Sequence, residues 1–316
     1  MTKIAILDDY QQVALQLAEW SQLPDTCDVE VFTDTLPFGE ALVQRLQPFE
    51  VLCIMRERTP FPRALLERLP NLRLLVTSGA RNAAIDTAAA SEWGIIVCGT
   101  RSPAHATPEL AVGLMLALAR GLLRETASLR DGGWQVGLGR ELHGSTLGVL
   151  GLGRLGSKVA QLGKAFGMRV IAWSQNLTED RAREVGVRLV DKNGLFTQSD
   201  FISIHLKLGE RSRGLVDARA LALMKPDACL VNTSRGPIVD EAALLDALAE
   251  NRIGGAAIDV YDEEPLPGDH PLRRLPNAIC TPHIGYVTEQ TYRVFYSGML
   301  EVIKAYLAGE PLSRLD

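Results

Sequence analysis

The stretch TLGVLGLGRLG, residues 146–156, decides the fold of this chain. In it, a short apolar run (Leu147–Leu150) leads into a G-x-G-x-x-G turn, and a helical pattern follows. This order of strand, turn and helix is the context that a dinucleotide-binding fingerprint requires. Gly151 would allow the tight turn, Gly153 would let the backbone approach a pyrophosphate, and Gly156 would let helix and strand pack closely. The context favours a nucleotide site over a plain structural turn.

Composition limits the classes of protein that fit. A chain of 316 residues has room for two domains, and 47% hydrophobic with 22% charged residues is typical of a globular protein. The net charge of −5 argues against nucleic acid as a partner. Five scattered cysteines without a C-x-x-C motif predict reduced thiols in a reducing compartment. Lys3–Asp9 predicts a strand rather than a signal peptide, and the longest apolar stretch, Leu110–Ala119, is too short to span a bilayer. We therefore expect a cytoplasmic protein without a membrane partner.

Short β-type runs alternate with helical segments along the whole chain. This alternation predicts an α/β fold with two Rossmann-like domains, each with a parallel sheet, and the nucleotide in an interdomain cleft. The expected strands of the first series are Ile4–Leu7, Val29–Phe32, Val51–Met55, Leu72–Thr77 and Ile95–Val97. Those of the second are Leu147–Leu150, Arg169–Trp173, Phe201–His205, Cys229–Asn232, Ala256–Val260 and Ala278–Cys280. The expected helices include Phe38–Leu46, Pro62–Leu69, Pro103–Leu123 and Thr288–Leu307, the last of which could pack back on the first domain.

Three charged side chains follow three of the later strands: Arg235, Glu264 and His283. If these strands are parallel neighbours, the three side chains emerge at one sheet edge. An arginine suits bidentate capture of a carboxylate, and a histidine suits proton exchange with a carbinol. A glutamate beside the histidine would favour the imidazolium. With a hydride carrier, this is the set that reduction of a 2-oxo acid needs.

Each of the three also has a plain structural interpretation. Arg235 could cap a turn before Gly236, and Glu264 lies in an acidic run that could be a solvated loop. His283 lies between Pro282 and Gly285, which is an unusual context for a surface histidine. The function is therefore inferred from the set and not from any single member. No cluster has the spacing of zinc ligands, so no metal site is expected.

Two further motifs follow the glycine turn in the order of a known family. The segments NTSRGPIVDE (residues 232–241) and TPHIG (residues 281–285) resemble those of the D-isomer-specific 2-hydroxyacid dehydrogenase family, over essentially the whole chain. The resemblance implies a substrate domain made of residues 1–99 and 288–316 and an NAD(P)-binding Rossmann domain of residues 100–287. It also implies a homodimer held by the nucleotide domains.

The resemblance also implies an activity, hydride transfer between a nicotinamide dinucleotide and a D-2-hydroxy acid/2-oxo acid pair, with Arg235, Glu264 and His283 as the catalytic set. The implied cofactor-binding residues are Gly151, Gly153, Arg154, Leu155, Gly156, Ser174, His205, Thr233 and Asp259, of which Asp259 would contact the nicotinamide carboxamide. The implied substrate-binding residues are Arg56, Ser78, Gly79 and Ala80, with Arg58 as a second basic residue.

Some departures from the family pattern bear on the cofactor and the substrate. The family usually has an acidic residue after the second strand of the nucleotide domain, where this chain has Ser174-Gln175-Asn176. That acid would repel a 2′-phosphate, so its absence favours NAD with relaxed discrimination and keeps NADP as an alternative cofactor. Arg181 or Arg183 could bind the phosphate only if the next helix begins close to the ribose. In the substrate loop, Arg81 and Asn82 stand where the family usually has a glycine and a small residue, and the added charge could favour a second anionic group on the substrate.

A binding module is the alternative to an enzyme. The family includes transcriptional corepressors that sense the redox state of a dinucleotide, and these retain the Arg/Glu/His set. The sequence does not name the 2-hydroxy acid, since the pocket loops of this family vary.

Overall fold

The structure is a computed structural model that describes residues 1–310 and 314–315. The chain divides into two compact units. One is Met1–Pro103 with the C-terminal segment that begins at Val287, and the other is Ala104–Tyr286. The segment 288–316, expected in the substrate domain, includes residues 311–313 and 316, which lie outside the described residues. The assignment of one unit to substrate and the other to nucleotide stays a prediction.

The strands and helices alternate along both units. The strands are β1 (Thr2–Ile6), β2 (Cys27–Val31), β3 (Val51–Ile54), β4 (Leu74–Thr77), β5 (Ile96–Gly99), β6 (Thr146–Leu150), β7 (Arg169–Trp173), β8 (Arg188–Leu189), β9 (Phe201–Ile204), β10 (Cys229–Asn232), β11 (Gly255–Ile258) and β12 (Ala278–Cys280). The α-helices are α1 (Ala14–Leu17), α2 (Glu40–Leu46), α3 (Arg63–Leu66), α4 (Thr87–Glu92), α5 (Ala106–Arg120), α6 (Leu122–Arg130), α7 (Arg154–Ala165), α8 (Glu179–Val185), α9 (Lys192–Gln198), α10 (Ala218–Ala222), α11 (Glu241–Ala249) and α12 (Glu289–Ala308).

The first unit is built on a five-stranded parallel sheet in the order β2-β1-β3-β4-β5. In its register, Ile4 lies opposite Val29 on one side and Val51 on the other. The helix α12 belongs to this unit and contacts α1. Its buried side chains recur at helical spacing and include Tyr292, Phe295 and Tyr296. The order of strands changes direction between β1 and β3, and in such sheets ligands bind beside the carboxyl ends of strands at that point.

The second unit is built on a seven-stranded parallel sheet in the order β12-β11-β10-β9-β6-β7-β8. Helices cover both faces, because α5 and α7 pack on one face through residues such as Met115 and Val159, while Phe196 and Leu244 pack on the other. Every residue of β6 is buried, as expected of a central parallel strand. The order reverses between β6 and β9, which places the glycine turn at the binding edge of a doubly wound sheet. The predicted α/β fold with two parallel sheets is confirmed.

One expected element was wrong, and one strand was missed. The segment Pro103–Leu123 was expected to form one helix, but α5 ends at Arg120 because Gly121 adopts a left-handed conformation with φ 58°. A second helix, α6, follows at a bend of 63°. The two-residue strand β8 was missed because it contains no apolar run. Among the described residues no single helix is long and apolar enough to cross a membrane. The bent pair of α5 and α6 has the length and composition of a membrane span only when both helices are taken together.

Candidate active site

The glycine turn follows the carboxyl end of β6, and its three glycines meet different surroundings. Gly151 has φ 101°, and a Cβ there would lie 2.8 Å from the carbonyl oxygen of His205. A Cβ at Gly156 would overlap the carbonyl oxygen of Gly151, so this position holds helix and turn together. A Cβ at Gly153 would meet no described atom within 4 Å. The backbone at Gly153 therefore borders open space at the start of α7, where a pyrophosphate can bind.

The contrast between these glycines gives a testable prediction. Gly156→Ala should lower the free energy of unfolding by about 1–3 kcal/mol, because the added methyl group has no room. Gly153→Ala should change stability by no more than about 0.5 kcal/mol, since nothing in the protein is displaced. It should nevertheless weaken NADH binding by about tenfold, or about 1.4 kcal/mol. Thermal unfolding and NADH fluorescence titration measure the two effects, and equal loss of stability in both variants would contradict the assignment.

A cavity of about 510 Å³ lies at the carboxyl ends of β7 and β9. Its lining includes Trp173, Ser174, Gln175, Asn176 and the segment 206–212. The volume is in the range of small-molecule sites. His205 precedes this segment and its Nε2 lies 2.8 Å from the Ser203 hydroxyl. Burial lowers the pKa of His205 to about 4, so its ring is neutral at neutral pH.

Thr233 follows β10 and carries a buried polar atom without a described partner. Its Oγ1 forms no hydrogen bond with any described residue, although the side chain is buried. Buried hydroxyl groups nearly always have a partner, so this atom is available for a ligand. The open space at Gly153 and this hydroxyl both fit a dinucleotide bound along the carboxyl edge of the sheet.

Arg235 lies in a turn that the protein fixes from both sides. The Asn232 side chain donates to the Arg235 carbonyl oxygen at 3.0 Å and accepts from the Ser234 N–H at 3.0 Å. Gly236 packs so closely on the backbone of Tyr261 that a Cβ would overlap it. The turn after β10 is therefore pressed against the loop after β11. One Arg235 nitrogen, Nη1, donates to the Ser234 carbonyl oxygen at 2.7 Å.

Glu264 and His283 form a hydrogen-bonded pair. The Nδ1 atom of His283 lies 2.6 Å from Oε2 of Glu264, whose other oxygen accepts from the Tyr261 N–H at 2.9 Å. His283 has φ 51°, a conformation that non-glycine residues rarely adopt and that is enriched at functional sites. The pair uses Nδ1 and so leaves Nε2 as the nitrogen that can exchange a proton with a ligand. The structure thus brings Glu264 and His283 into direct contact.

Asp259 anchors the loop that carries His283. Its Oδ1 accepts hydrogen bonds from the Thr281 hydroxyl at 2.6 Å and the Ile284 N–H at 2.8 Å, and its Oδ2 accepts from the Gly285 N–H at 2.9 Å. Burial raises the pKa of Asp259, while these hydrogen bonds act in the opposite direction. The sequence resemblance predicted that Asp259 contacts the nicotinamide, but it did not show that Asp259 also positions the loop of His283. The TPHIG motif contained all three donors, and only the fold shows which acceptor they share.

The predicted substrate residues lie together in the first unit, after β3 and β4. The Arg56 N–H donates to the Ser78 hydroxyl at 2.8 Å, and its guanidinium donates to the Ser78 carbonyl oxygen at 3.1 Å. The N–H of Gly79 donates to the Thr100 hydroxyl at 2.9 Å, and that of Ser78 donates to the Ile54 carbonyl oxygen at 3.0 Å. Two N–H groups of the expected carboxylate loop are therefore used within the protein.

Asn82 has a structural task in the same loop. Its amide donates to the Arg56 carbonyl oxygen at 2.6 Å and to the Thr77 hydroxyl at 2.9 Å, and its oxygen accepts from the Ala84 N–H at 2.9 Å. These bonds occupy the polar atoms of the Asn82 side chain and hold the loop after β4 to the loop after β3. The added charge, which could favour a second anionic group, belongs to Arg81, and that expectation stays a prediction. Arg81 is exposed.

Sequence reasoning also missed a cluster that joins the loops after β1 and β3. The Arg58 guanidinium donates to the Asp8 carbonyl oxygen at 2.7 Å and to the Tyr292 hydroxyl at 3.0 Å, and it lies 4.3 Å from the centre of the Tyr10 ring. Asp8 is buried with φ 60°, and burial raises the pKa of its carboxyl group. The cluster fixes Arg58 at the carboxyl edge of the first sheet.

Residues 112–285 match the model of the D-isomer specific 2-hydroxyacid dehydrogenase family, NAD binding domain. The chain belongs to the D-isomer specific 2-hydroxyacid dehydrogenase family. The matched range contains the glycine turn, Thr233, Arg235, Glu264 and His283. These residues therefore lie in the part of the chain that matches the NAD-binding domain of the family.

Relatives of several specificities share this family. The chain is 38% identical over 314 residues to a D-3-phosphoglycerate dehydrogenase of Methanocaldococcus jannaschii. The aligned region covers 98% of the chain and 58% of that protein. It is 32% identical over 298 residues to a glyoxylate reductase of Korarchaeum cryptofilum, and this aligned region covers 92% of the chain and 90% of that protein. A crystal structure of a phosphoglycerate oxidoreductase from Vibrio cholerae superposes with a TM-score of 0.92 at 39% identity, covering 98% of the chain and 100% of that structure. The chain thus spans little more than half the length of the first of these relatives.

Proposed function

We propose that this chain is an NAD-dependent dehydrogenase that interconverts a D-2-hydroxy acid and its 2-oxo acid. The observation that carries the proposal is the 2.6 Å hydrogen bond between His283 and Glu264. This pair lies at the carboxyl edge of the second sheet, where β12, β11 and β10 are neighbours. Arg235 follows β10 at the same edge. A proton donor and a carboxylate anchor on one edge, beside a dinucleotide turn, are the groups that this reaction uses.

Each member of the set has a distinct task. The Arg235 guanidinium binds the substrate carboxylate and fixes the carbonyl carbon. His283 donates a proton from Nε2 to the carbonyl oxygen during reduction and accepts it during oxidation. Glu264 holds Nδ1, so it orients the ring and stabilises the imidazolium. NADH, when bound, supplies the hydride that the reduction requires. We keep Arg56, Ser78, Gly79 and Ala80 as the proposed further contacts to substrate, in the first unit.

The dinucleotide would be held by the residues at the edge of the second sheet. Gly151, Gly153 and Gly156 shape the turn for the pyrophosphate, and the helix that starts at Arg154 and Leu155 presents its first N–H groups there. Ser174 borders the cavity for the adenosine half. On the nicotinamide side, His205, Thr233 and Asp259 are the proposed contacts, with Asp259 acting also through the His283 loop.

Turnover by the purified protein tests the proposal. NADH oxidation should be measured with a panel of 2-oxo acids that includes glyoxylate, hydroxypyruvate and 2-oxo acids with a second anionic group. We expect turnover with at least one member. Absence of turnover with the whole panel, together with measurable NADH binding, would instead favour the dinucleotide-sensing binding module. The relatives described above are dehydrogenases and reductases and give the corepressor alternative no support.

The homodimer is also a proposal, and exposed apolar side chains support it. The helix α6 has no buried residue, and large apolar side chains lie exposed on it and in the segment that follows. They include Leu129, Trp134 at 73% exposure and Leu138 at 98%. A second copy of the chain would bury these side chains, since several large exposed apolar residues within one segment are typical of an interaction surface.

A double substitution tests the dimer. We expect Leu129→Asp with Leu138→Asp to raise the dimer dissociation constant by about 100-fold or more, the scale of losing buried interface anchors. Light scattering at micromolar concentration measures it. Leu15→Asp, at an exposed leucine of the first unit, is the matched control and should leave the dimer intact. A wild-type monomer would contradict the proposal.

The remaining proposals concern location and partners. We propose a cytoplasmic location, which the five free cysteine thiols support. We propose a small-molecule 2-hydroxy or 2-oxo acid as the substrate, without nucleic acid or membrane partners. Among the described residues no group of three or more His, Cys, Asp or Glu side chains could hold a metal ion, and the residue tasks above use none.

A further inference from the structure

The part of the chain that carries Glu264 is not held by burial. The loop runs from the end of β11 to the start of β12, and residues 262–265 in it are exposed. Segments with few buried contacts are the ones that move most easily. The 2.6 Å hydrogen bond between Glu264 and His283 nevertheless requires the carboxylate to stay in one place. Contacts elsewhere along the loop therefore have to fix its course.

A second histidine–glutamate pair lies on the carboxyl side of this loop. Nε2 of His270 lies 3.0 Å from Oε1 of Glu241, and the two side chains are 14% and 26% exposed. Nδ1 of His270 accepts a hydrogen bond from the Leu272 N–H at 3.3 Å. A ring nitrogen that accepts carries no proton, so Nε2 carries the proton and donates it to the glutamate. Both nitrogens of His270 are thus used within the protein.

The pair joins the two loops that carry Arg235 and Glu264. Glu241 is the first residue of α11, the helix that follows the Arg235 turn, and His270 lies in the loop after β11. The same two segments also touch nearer the sheet, where Gly236 packs on the backbone of Tyr261. One contact leaves two loops free to rotate about it, whereas a second contact at a distance fixes the angle between them. The bond between Glu241 and His270 is this second contact.

The segment between His270 and Glu264 can transmit the anchor, because it is closed by hydrogen bonds. The Arg273 guanidinium group donates to the carbonyl oxygens of Leu266 and Pro267 at 2.6 and 2.8 Å. The His270 N–H donates to the Pro267 carbonyl oxygen at 3.2 Å. The chain from Leu266 to Arg273 is therefore a compact turn that begins two residues after Glu264. Displacement of His270 moves this turn and, with it, the carboxylate.

We propose that the Glu241–His270 pair positions Glu264 for its bond to His283. The proposal rests on the proposed function, since it gives a task to residues around the proposed catalytic set. His270 is a positioning residue and not a catalytic one, because Leu272 and Glu241 use both of its ring nitrogens. Loss of either partner lowers the rate of the chemical step and leaves the dinucleotide turn unchanged.

Steady-state kinetics with the best 2-oxo acid and NADH fluorescence titration test the proposal on the whole chain. His270→Ala and Glu241→Ala should each lower kcat by about tenfold or more, as expected when a catalytic group is slightly misplaced. The KM of the oxo acid and the Kd of NADH should stay within about threefold of the wild type. Glu241→Gln keeps an acceptor oxygen and His270→Gln keeps an N–H near the position of Nε2, so both should retain kcat within about threefold.

A double-mutant cycle separates positioning from a general loss of stability. In a Glu264→Ala background the loop carries no carboxylate to position, so His270→Ala should change kcat by less than about twofold. Lys225→Met is the matched control. It breaks another partly buried pair of the second unit, Lys225–Asp200 at 2.7 Å, which lies at the amino end of β9. It should lower the Tm as His270→Ala does and leave kcat within about twofold.

Three outcomes would overturn the inference. One is an equal loss of kcat on His270→Ala with and without Glu264. Another is a loss of kcat in Lys225→Met as large as in His270→Ala, because stability would then account for both. The third is near wild-type kcat in both His270→Ala and Glu241→Ala, which would leave the proposed function standing. Absence of turnover by the wild type with every 2-oxo acid would instead remove the proposed function and the inference with it.

Discussion

Replacement of His283 by alanine should reduce kcat by about 10²–10⁴-fold, the usual contribution of a positioned general acid–base group. The 2.6 Å bond to Glu264 fixes Nδ1, so the proton must pass through Nε2, and no other side chain of the set can donate it. NADH binding should stay within about twofold of the wild type, since the change removes no group at the glycine turn. Steady-state kinetics with the best 2-oxo acid and NADH fluorescence titration measure the two effects.

Glu264→Gln is the companion variant, because it keeps the shape of the side chain and removes its charge. It should lose less activity than His283→Ala. The loss should appear in kcat rather than in NADH binding, because Glu264 holds the His283 ring and touches no group at the glycine turn. A His283→Ala variant with near wild-type kcat, or a Glu264→Gln variant with unchanged kcat, would remove the pair from the proposed mechanism.

Replacement of Arg235 by lysine should reduce kcat/KM by about 30- to 150-fold, or about 2–3 kcal/mol, the scale of hydrogen bonds to a charged group. Lysine keeps the charge but lacks the planar fork that orients a carboxylate. Asn232 and Gly236 fix the turn around Arg235. The backbone therefore cannot move to bring a lysine ammonium to the position of the guanidinium. Kinetics with the same oxo acid measure the loss. Arg213→Lys, an arginine outside the proposed set, is the control and should leave kcat/KM within about twofold.

An Arg235→Lys variant with near wild-type kcat/KM would contradict the role given to Arg235. Loss of NADH binding in this variant would also contradict it, because the guanidinium is assigned to the substrate and not to the dinucleotide.

Much of the fold could be predicted because its determinants are local. The apolar runs that became β7, β10 and β12 coincide with the observed strands residue for residue. Parallel strands buried on both faces form continuous apolar runs, which the sequence displays directly. The helix break at Gly121 could not be predicted from the apolar pattern, since a glycine within a helical run is compatible with either a helix or its end.

The positions of the proposed catalytic residues after their strands could be predicted for a related reason. Arg235, Glu264 and His283 each follow a strand, and strands in one parallel sheet present their ends at one edge. What the sequence did not show is which polar groups meet across loops. The three donors to Asp259, the bonds of Asn82 and the contact of Arg181 with Ser157 all join segments that are distant in the chain or in adjacent helices. Such pairings depend on tertiary packing.

One measurement tests most directly whether this chain is a D-specific 2-hydroxyacid dehydrogenase: the chirality of the alcohol that the purified protein forms, with NADH, from the best 2-oxo acid whose reduction product is chiral. We predict the D-2-hydroxy acid alone, formed by the wild type and reduced at least about 100-fold in His283→Ala. Formation of the L enantiomer, a racemic product, or turnover that is unchanged in His283→Ala would contradict the assignment of the reaction to Arg235, Glu264 and His283.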